Sequence, residues 1–378
     1  MSTTAAPSGA AALAALSADE RASLDSTGFD AQSFAELVDG HLAGTLPPNR
    51  LRGDVQPPPA IPRVAPSGSW QGDALVDAGR QALHAGKAGL LLLNGGMATR
   101  FGGRVKGIVP ALPGRSFLAL QAERMAGLQA ETGQPLPMLL MNSLATDEPT
   151  RAHLAEHDGW SLAAGSVRTF MQSAAPRLRP DGSLYRGADG TPSLYGPGHG
   201  DLLPSLRRSG ELQRLRDAGV EVLLMANVDN LGAALDPALL GAFLASGAEM
   251  MVEVAPKLPG DVGGAPASVD GEVRIVEGFA FPEEFDQDRI PVFNTNTLWF
   301  RVDALDREFP LRWYRVRKKT GDDEVIQFER LVGQASWFLR TEYVTVSRDR
   351  FRPVKSPADL DAVRPKLREM FGVRLRVL

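Results

Sequence analysis

The chain has 378 residues, 43% of them hydrophobic and 23% charged, with 41 basic against 45 acidic side chains and a formal net charge of −4. That length holds two or three domains, and the balance lacks the electrostatic footprint of a nucleic-acid binder; with no cysteine, disulfides, thiolate zinc sites and cysteine nucleophiles are excluded. No basic region precedes the apolar N-terminal stretch and no run approaches the ~18 to 20 apolar residues of a membrane helix, so a cytoplasmic protein without membrane or nucleic-acid partners is expected.

Residues 1–10 are small and polar and read as frayed, and Ala11 to about Leu42 has the spacing of two short helices, with Ser17 and Ser33 as N-cap candidates. Leu46 to Pro66 contains seven prolines and must be an irregular connection, which places a boundary at residue 66. Asp73–Ala88 reads as a helix and Gly89–Leu93 as a buried strand. A glycine-rich loop follows, and then helix Ser116–Thr132, strand Pro137–Met141, helix Glu148–His157, strand Val167–Met171, helix Leu203–Ala218 and strand Val220–Ala226. This alternation predicts a mostly parallel sheet flanked by helices, with ligands beyond the carboxyl ends of its strands. From Glu249 the pieces become β-like, at Met250–Val254, Val273–Val276, Val292–Phe300 and Tyr343–Val346, with helices expected at Glu324–Leu331 and Pro357–Met370. The predicted organisation is therefore an N-terminal helical segment over 1–66, a main α/β domain over 67–320 and a C-terminal region over 321–378.

Three polar stretches fall at strand ends. In the first, Leu93-Asn94-Gly95-Gly96 to Lys106-Gly107, residues without a Cβ let backbone N–H groups close on phosphate oxygens, while Arg100 and Lys106 add charge; a tight turn is the competing reading. Neither the P-loop nor the dinucleotide fingerprint can be laid on these residues. The second is Gln172. In the third, Asn227-Val228-Asp229-Asn230, Asp229 suits a magnesium ion as a hard carboxylate ligand, and equally an Asx turn. Tyr195-Gly196-Pro197-Gly198-His199-Gly200-Asp201 is a second glycine-rich stretch that sets His199 beside close backbone, whereas His41, His84, His153 and His157 lie on predicted helices facing solvent. Lys106, Lys257 and Lys355 are candidates to reach phosphates, with a solvated surface charge as the competing reading for each, and Asn294-Thr295-Asn296-Thr297 suits sugar hydroxyls or a turn. There is no nucleophile elbow and no His-Glu-x-x-His zinc spacing.

These stretches resemble the UDP-sugar pyrophosphorylase family. Leu93-Asn94-Gly95-Gly96 with Lys106-Gly107, Pro197-Gly198-His199-Gly200-Asp201, Asn227-Val228-Asp229-Asn230-Leu231-Gly232-Ala233, Phe293-Asn294-Thr295-Asn296, Val325-Ile326-Gln327-Phe328-Glu329 and Arg350-Phe351-Arg352-Pro353-Val354-Lys355 stand in the family's order, over about residues 89–360. The resemblance implies a Rossmann-like nucleotidyltransferase fold and transfer of uridylyl from UTP to glucose 1-phosphate, assisted by Mg²⁺, with UDP-glucose and pyrophosphate as products. It implies that Leu93, Asn94, Gly95 and Gly96 close on UTP, that Gln172 and Gly198 hold the uridine, and that Lys106, Arg100 and Lys355 meet the phosphates. His199, Asn227, Glu277 and Asn296 would face the sugar phosphate, with Lys257 as a further candidate, and Asp229 would bind the metal. The C-terminal β-helix of eukaryotic relatives is not expected in these 378 residues. Thr99-Arg100 and Gln121-Ala122-Glu123-Arg124 lean toward the N-acetylglucosamine branch, and the histidine and Asn-Val-Asp-Asn stretches toward glucose. The rival classes are a glycosyltransferase, whose Asp-x-Asp motif would need Asp where Asn227 stands, and a nucleotide-sugar sensor without turnover.

Overall fold

The computed structural model describes residues 7–261 and 263–372, the side chains of residues 98 and 99 aside; the expectations for residues 1–6, Ala98 and Thr99 fall outside it. The chain opens with α1 (Gly9–Ala14), α2 (Ala18–Ser26) and α3 (Ala31–Ala43), one helix more than the spacing predicts. Ser17 caps α2 through a reciprocal box with Glu20, but α3 starts at Asp30, whose carboxylate accepts the Ser33 N–H. A carboxylate one turn earlier outcompetes the Ser33 hydroxyl for the helix start. The proline-rich stretch runs along the later half of the molecule: β1 (Val55–Gln56) pairs in it, and the Leu51 N–H donates to the Ala280 carbonyl.

The longer of the remaining elements follow in order. They are α4 (Trp70–His84), β2 (Ala88–Leu93), α5 (Phe117–Thr132), β3 (Met138–Asn142), α6 (Asp147–Glu156), β4 (Val167–Met171), α7 (Leu202–Arg208), α8 (Glu211–Asp217), β5 (Val222–Asn227), α9 (Pro237–Ser246), β6 (Met250–Pro256), β7 (Ala265–Val269), β8 (Glu272–Val276), β9 (Val292–Arg301), β10 (Tyr314–Thr320), β11 (Asp323–Glu329), β12 (Thr341–Thr345) and α10 (Pro357–Phe371). The helix expected at Leu203–Ala218 is broken into α7 and α8 by Gly210, which adopts φ 77°. The expected helix Glu324–Leu331 is instead β11, the second strand of a hairpin with β10. Gly321 turns that hairpin with positive φ, and the β-branched and aromatic run Val325-Ile326-Gln327-Phe328 is buried at successive positions, as a strand covered on both faces requires.

The central sheet has seven strands in the order β12-β6-β9-β5-β2-β3-β4, parallel throughout except for β9, which runs against both its neighbours. Successive side chains of β2 feed opposite cores: Leu91 joins the cluster under α7 and α8, while Leu90 and Leu92 join the one under α4, α5 and α9. From β2 the chain winds outward one way through β3 and β4, then returns to place β5 on the other side of β2. The loops after β2 and β5 therefore flank a topological switch point, where a crevice opens beyond the strand ends. No helix among the described residues is long and apolar enough to cross a membrane.

Candidate active site

A cleft of about 470 Å³ sits at that switch point, lined by residues that include Leu93, Gly95, Gly96, Lys106, Gln172, Gly198, His199, Asn227, Asp229, Glu277, Asn296 and Lys355. Register brings the strand ends together. Leu93 and Asn227 are paired partners on β2 and β5, and Gln172 follows the last residue of β4. The antiparallel strand β9 enters the same edge from its N-terminal half, and its register against β6 shifts between Glu253 and Val254, where Thr295 and Asn296 bulge out. Asn296 takes φ 55° there, a conformation an asparagine tolerates, and donates from Nδ2 to Asn227 Oδ1 at 3.1 Å.

The charged groups meet across the crevice. Lys106 Nζ lies 2.8 Å from Asp229 Oδ2, and the Val354 N–H donates to that same oxygen at 3.0 Å. Asp229 thus ties the glycine-rich loop to the loop that carries Lys355. That second loop is anchored from beneath. The Arg350 guanidinium grips Glu253 through two bonds of 2.7 Å, and the Arg352 N–H donates to Asn230 Oδ1 at 2.9 Å. Burial alone would lower the Arg350 pKa, but the Glu253 carboxylate outweighs it and raises it. Lys355 itself is exposed, and among the described residues no carboxylate pairs with it.

His199 stands on the opposite wall. Its Nδ1 accepts the Val332 N–H at 3.0 Å, so the ring proton sits on Nε2, and burial pushes its pKa down to about 4, leaving a neutral imidazole with one N–H to give. The backbone around it is packed too closely for side chains. Gly198 has φ 83° and a Cβ there would collide with the Arg330 carbonyl, which itself accepts the Gly200 N–H at 2.8 Å. Arg330 is held in turn by Asp201, fully buried, at 2.6 Å. Gln172 is threaded between Gly95 and Gly196, and a Cβ on Gly95 would come within 2.9 Å of its amide nitrogen. Glu277 lines the floor, where burial raises its carboxyl to about 7.

Three expected site residues lie elsewhere. Asn94 is completely buried and turned away from the cleft: its Nδ2 donates to Asn142 and Thr150 at 2.8 and 2.9 Å, because the loop needs a buried polar anchor where it leaves the sheet. Arg100 is exposed on the short turn Thr99–Phe101, which packs Phe101 inward and so carries Arg100 outward. Lys257 is drawn off by Asp288 at 2.7 Å and by the Gln287 carbonyl, and does not line the cleft. Glu253 and Arg330, which help to hold the walls, carry no local sequence signal, and although Arg350, Asn230 and Asp201 stand in the quoted motifs, nothing local assigns them this supporting role. Their partners are distant in the chain and meet only through sheet order.

An α/β fold whose cleft gathers a glycine-rich loop, two lysines, the carboxyl groups of Asp229 and Glu277 and a neutral imidazole at a switch point has the architecture of the nucleotide-binding α/β class. A profile of the family described as UTP--glucose-1-phosphate uridylyltransferase matches residues 66–374. The chain belongs to that family. It is 33% identical over 294 residues to the protein of that name from Hordeum vulgare, covering 74% of this chain and 62% of the relative. With the Saccharomyces cerevisiae protein of the same name it shares 35% over 301 residues, 74% of this chain and 60% of the relative. The chain thus spans about 60% of the length of these relatives. Among solved structures, UDP-glucose phosphorylase from Trypanosoma brucei superposes with a TM-score of 0.74 at 26% identity, over 91% of this chain and 77% of that one.

Proposed function

We propose that this chain transfers a uridylyl group from UTP to glucose 1-phosphate, releasing UDP-glucose and pyrophosphate. The observation that carries this reading is the convergence of Lys106, Asp229, His199 and Lys355 on one cleft, from four separate segments, in a member of this family. The attacking phosphate oxygen is already an anion, so no protein base is needed and alignment with charge neutralisation suffices. The phosphate oxygen of glucose 1-phosphate forms a bond to the α-phosphorus of UTP as the bond to the bridging oxygen breaks, and pyrophosphate leaves with that electron pair.

In this reading Gly95 and Gly96 approach the nucleotide phosphates, Gln172 and Gly198 hold the uracil end, and Lys106 and Lys355 balance the charge on the transferring group. His199 gives its Nε2–H to a sugar-phosphate oxygen without adding a charge, and Asn227, Asn296 and Glu277 face the hexose. Asp229 suits magnesium: Oδ2 is occupied by Lys106 and Val354, whereas Oδ1 has no hydrogen-bond partner among the described residues. A single free carboxylate oxygen, completed by substrate phosphates and water, is a common magnesium environment, and the ion when bound would neutralise phosphate charge. The test is pyrophosphate release from UTP and Mg²⁺ with glucose, galactose and N-acetylglucosamine 1-phosphates in turn. Release with glucose 1-phosphate far above the others is expected; release only with N-acetylglucosamine 1-phosphate would reassign the sugar, and none with any sugar would overturn turnover itself.

A further inference from the structure

The C-terminal turn of α6 holds His153, Glu156 and His157, whose ligand atoms all lie within 4.8 Å of one another. No other trio of this kind occurs among the described residues. The spacing i, i+3, i+4 puts them on one helix face, as in the His pairs of helical zinc sites, but in the reverse order His-Leu-Ala-Glu-His. We propose that this turn is a zinc site, separate from the cleft and independent of the reading given above for it.

Several features of the turn favour an ion. Two imidazoles and a carboxylate form a donor set that selects a borderline transition metal over magnesium or calcium, and it leaves a coordination position open. A cation placed there meets the negative end of the α6 dipole. The rings are already oriented. His153 and His157 lie 4.6 Å apart at 83°, and His157 stacks on Trp160 at 5.4 Å and 21°. His153 Nε2 is 2.9 Å from the Ser116 hydroxyl, an outer partner of the kind that fixes the tautomer of a ligating histidine; with Nε2 so engaged, Nδ1 is the nitrogen left for the metal. Glu156 and His157 are exposed, so an ion reaches them without opening the fold.

The position of α6 gives the site a consequence. The helix begins at Asp147, which accepts from Asn142 Nδ2 at 2.9 Å, and carries Thr150, which accepts from Asn94 at 2.9 Å. A metal that stiffens its last turn therefore stiffens the support of the glycine-rich loop. The full chain is titrated with zinc chloride against a chromophoric chelator, alongside His157→Ala, Glu156→Gln and the cleft variant Asp229→Asn. We expect one tight equivalent in the wild type and in Asp229→Asn, with a raised melting temperature. It should be weakened by more than the about tenfold that even an outer partner costs in His157→Ala, and also weakened in Glu156→Gln, an exposed near-isostere whose folding is not at stake. Absence of a tight equivalent, its survival in both α6 variants, or its loss in Asp229→Asn would overturn the site.

Discussion

Lys355 stands exposed on a loop whose neighbours are fixed, with Val354 bonded to Asp229 and the Lys355 N–H to Asp359 at 2.9 Å. A free ammonium on a rigid backbone suits charge that develops during reaction, so Lys355→Ala should lower kcat by about 100- to 1,000-fold while changing UTP binding far less; steady-state kinetics with a separate UTP titration checks this. Two other residues write opposite pH signatures. Glu277 is held to about 7 from an ordinary 4.5, so between those values the unfolded chain releases a proton that the folded chain keeps, and stability falls as pH rises. His199 is held to about 4 from 6.5, so in that window the unfolded chain takes up a proton that the folded chain refuses, and stability falls as pH drops. In urea denaturation, Glu277→Gln should gain on the wild type progressively from pH 4.5 to 7, and His199→Asn, which keeps an acceptor for Val332, should gain progressively from pH 6.5 to 4. Parallel curves for variant and wild type would show that the groups are not so desolvated.

At the scale of elements, the decisive unit is the strand pair β6–β9 with the loop that follows β12. Glu253 on β6 is fully buried, accepts the Trp299 Nε1–H at 2.9 Å and binds Arg350 through both its oxygens. Glu253→Gln keeps the volume and one acceptor but leaves the Arg350 cation without its counter-charge, which should cost about 3–5 kcal/mol of stability. Because that pair positions Lys355, kcat should fall as well, and Glu253→Gln combined with Lys355→Ala should be little slower than Lys355→Ala alone; full additivity would mean that the pair serves stability only. This unit also marks where reading the sequence reaches its end. The strands β2, β4, β5 and β9, the cap at Ser17 and the gathering of Leu93, Gln172, His199, Asn227 and Lys355 along the cleft are legible, because apolar runs and glycine clusters are local signals. The ion pairs Glu253–Arg350 and Asp201–Arg330 are not, since they join residues 97 and 129 positions apart. Asn94 and Lys257 failed for a related reason: a polar residue beside a glycine loop reads the same whether it faces a ligand, a buried anchor or a neighbouring carboxylate. Glu324–Leu331 failed because a short apolar run without clear alternation fits either period.

Across the whole molecule, the N-terminal helices brace the Gln172 side of the cleft. Phe34 and Val38 of α3 pack with Ala175, Leu178, Tyr195, Ile326 and Phe328 in one buried cluster, so the first helices, the stretch after Gln172 and the β10–β11 hairpin share a core. The Arg186 guanidinium reaches back to Glu20 at 2.6 Å, and the Ala174 N–H, two residues past Gln172, donates to the buried Thr27 hydroxyl at 3.0 Å. The backbone that follows Gln172 therefore has its hydrogen bond supplied from another part of the chain. Thr27→Val keeps the shape and removes the acceptor, leaving a buried N–H unpaired at a cost of about 1–3 kcal/mol. The Leu24 carbonyl that takes the Thr27 hydroxyl proton keeps backbone N–H partners, so the penalty falls on Ala174. The variant should then show a lower midpoint in denaturation and a raised KM for UTP, with kcat at saturating substrates near that of the wild type, because Lys106, Asp229 and Lys355 are held by other contacts. A loss of kcat with unchanged KM would place the influence of the N-terminal helices on the phosphates rather than on the uridine.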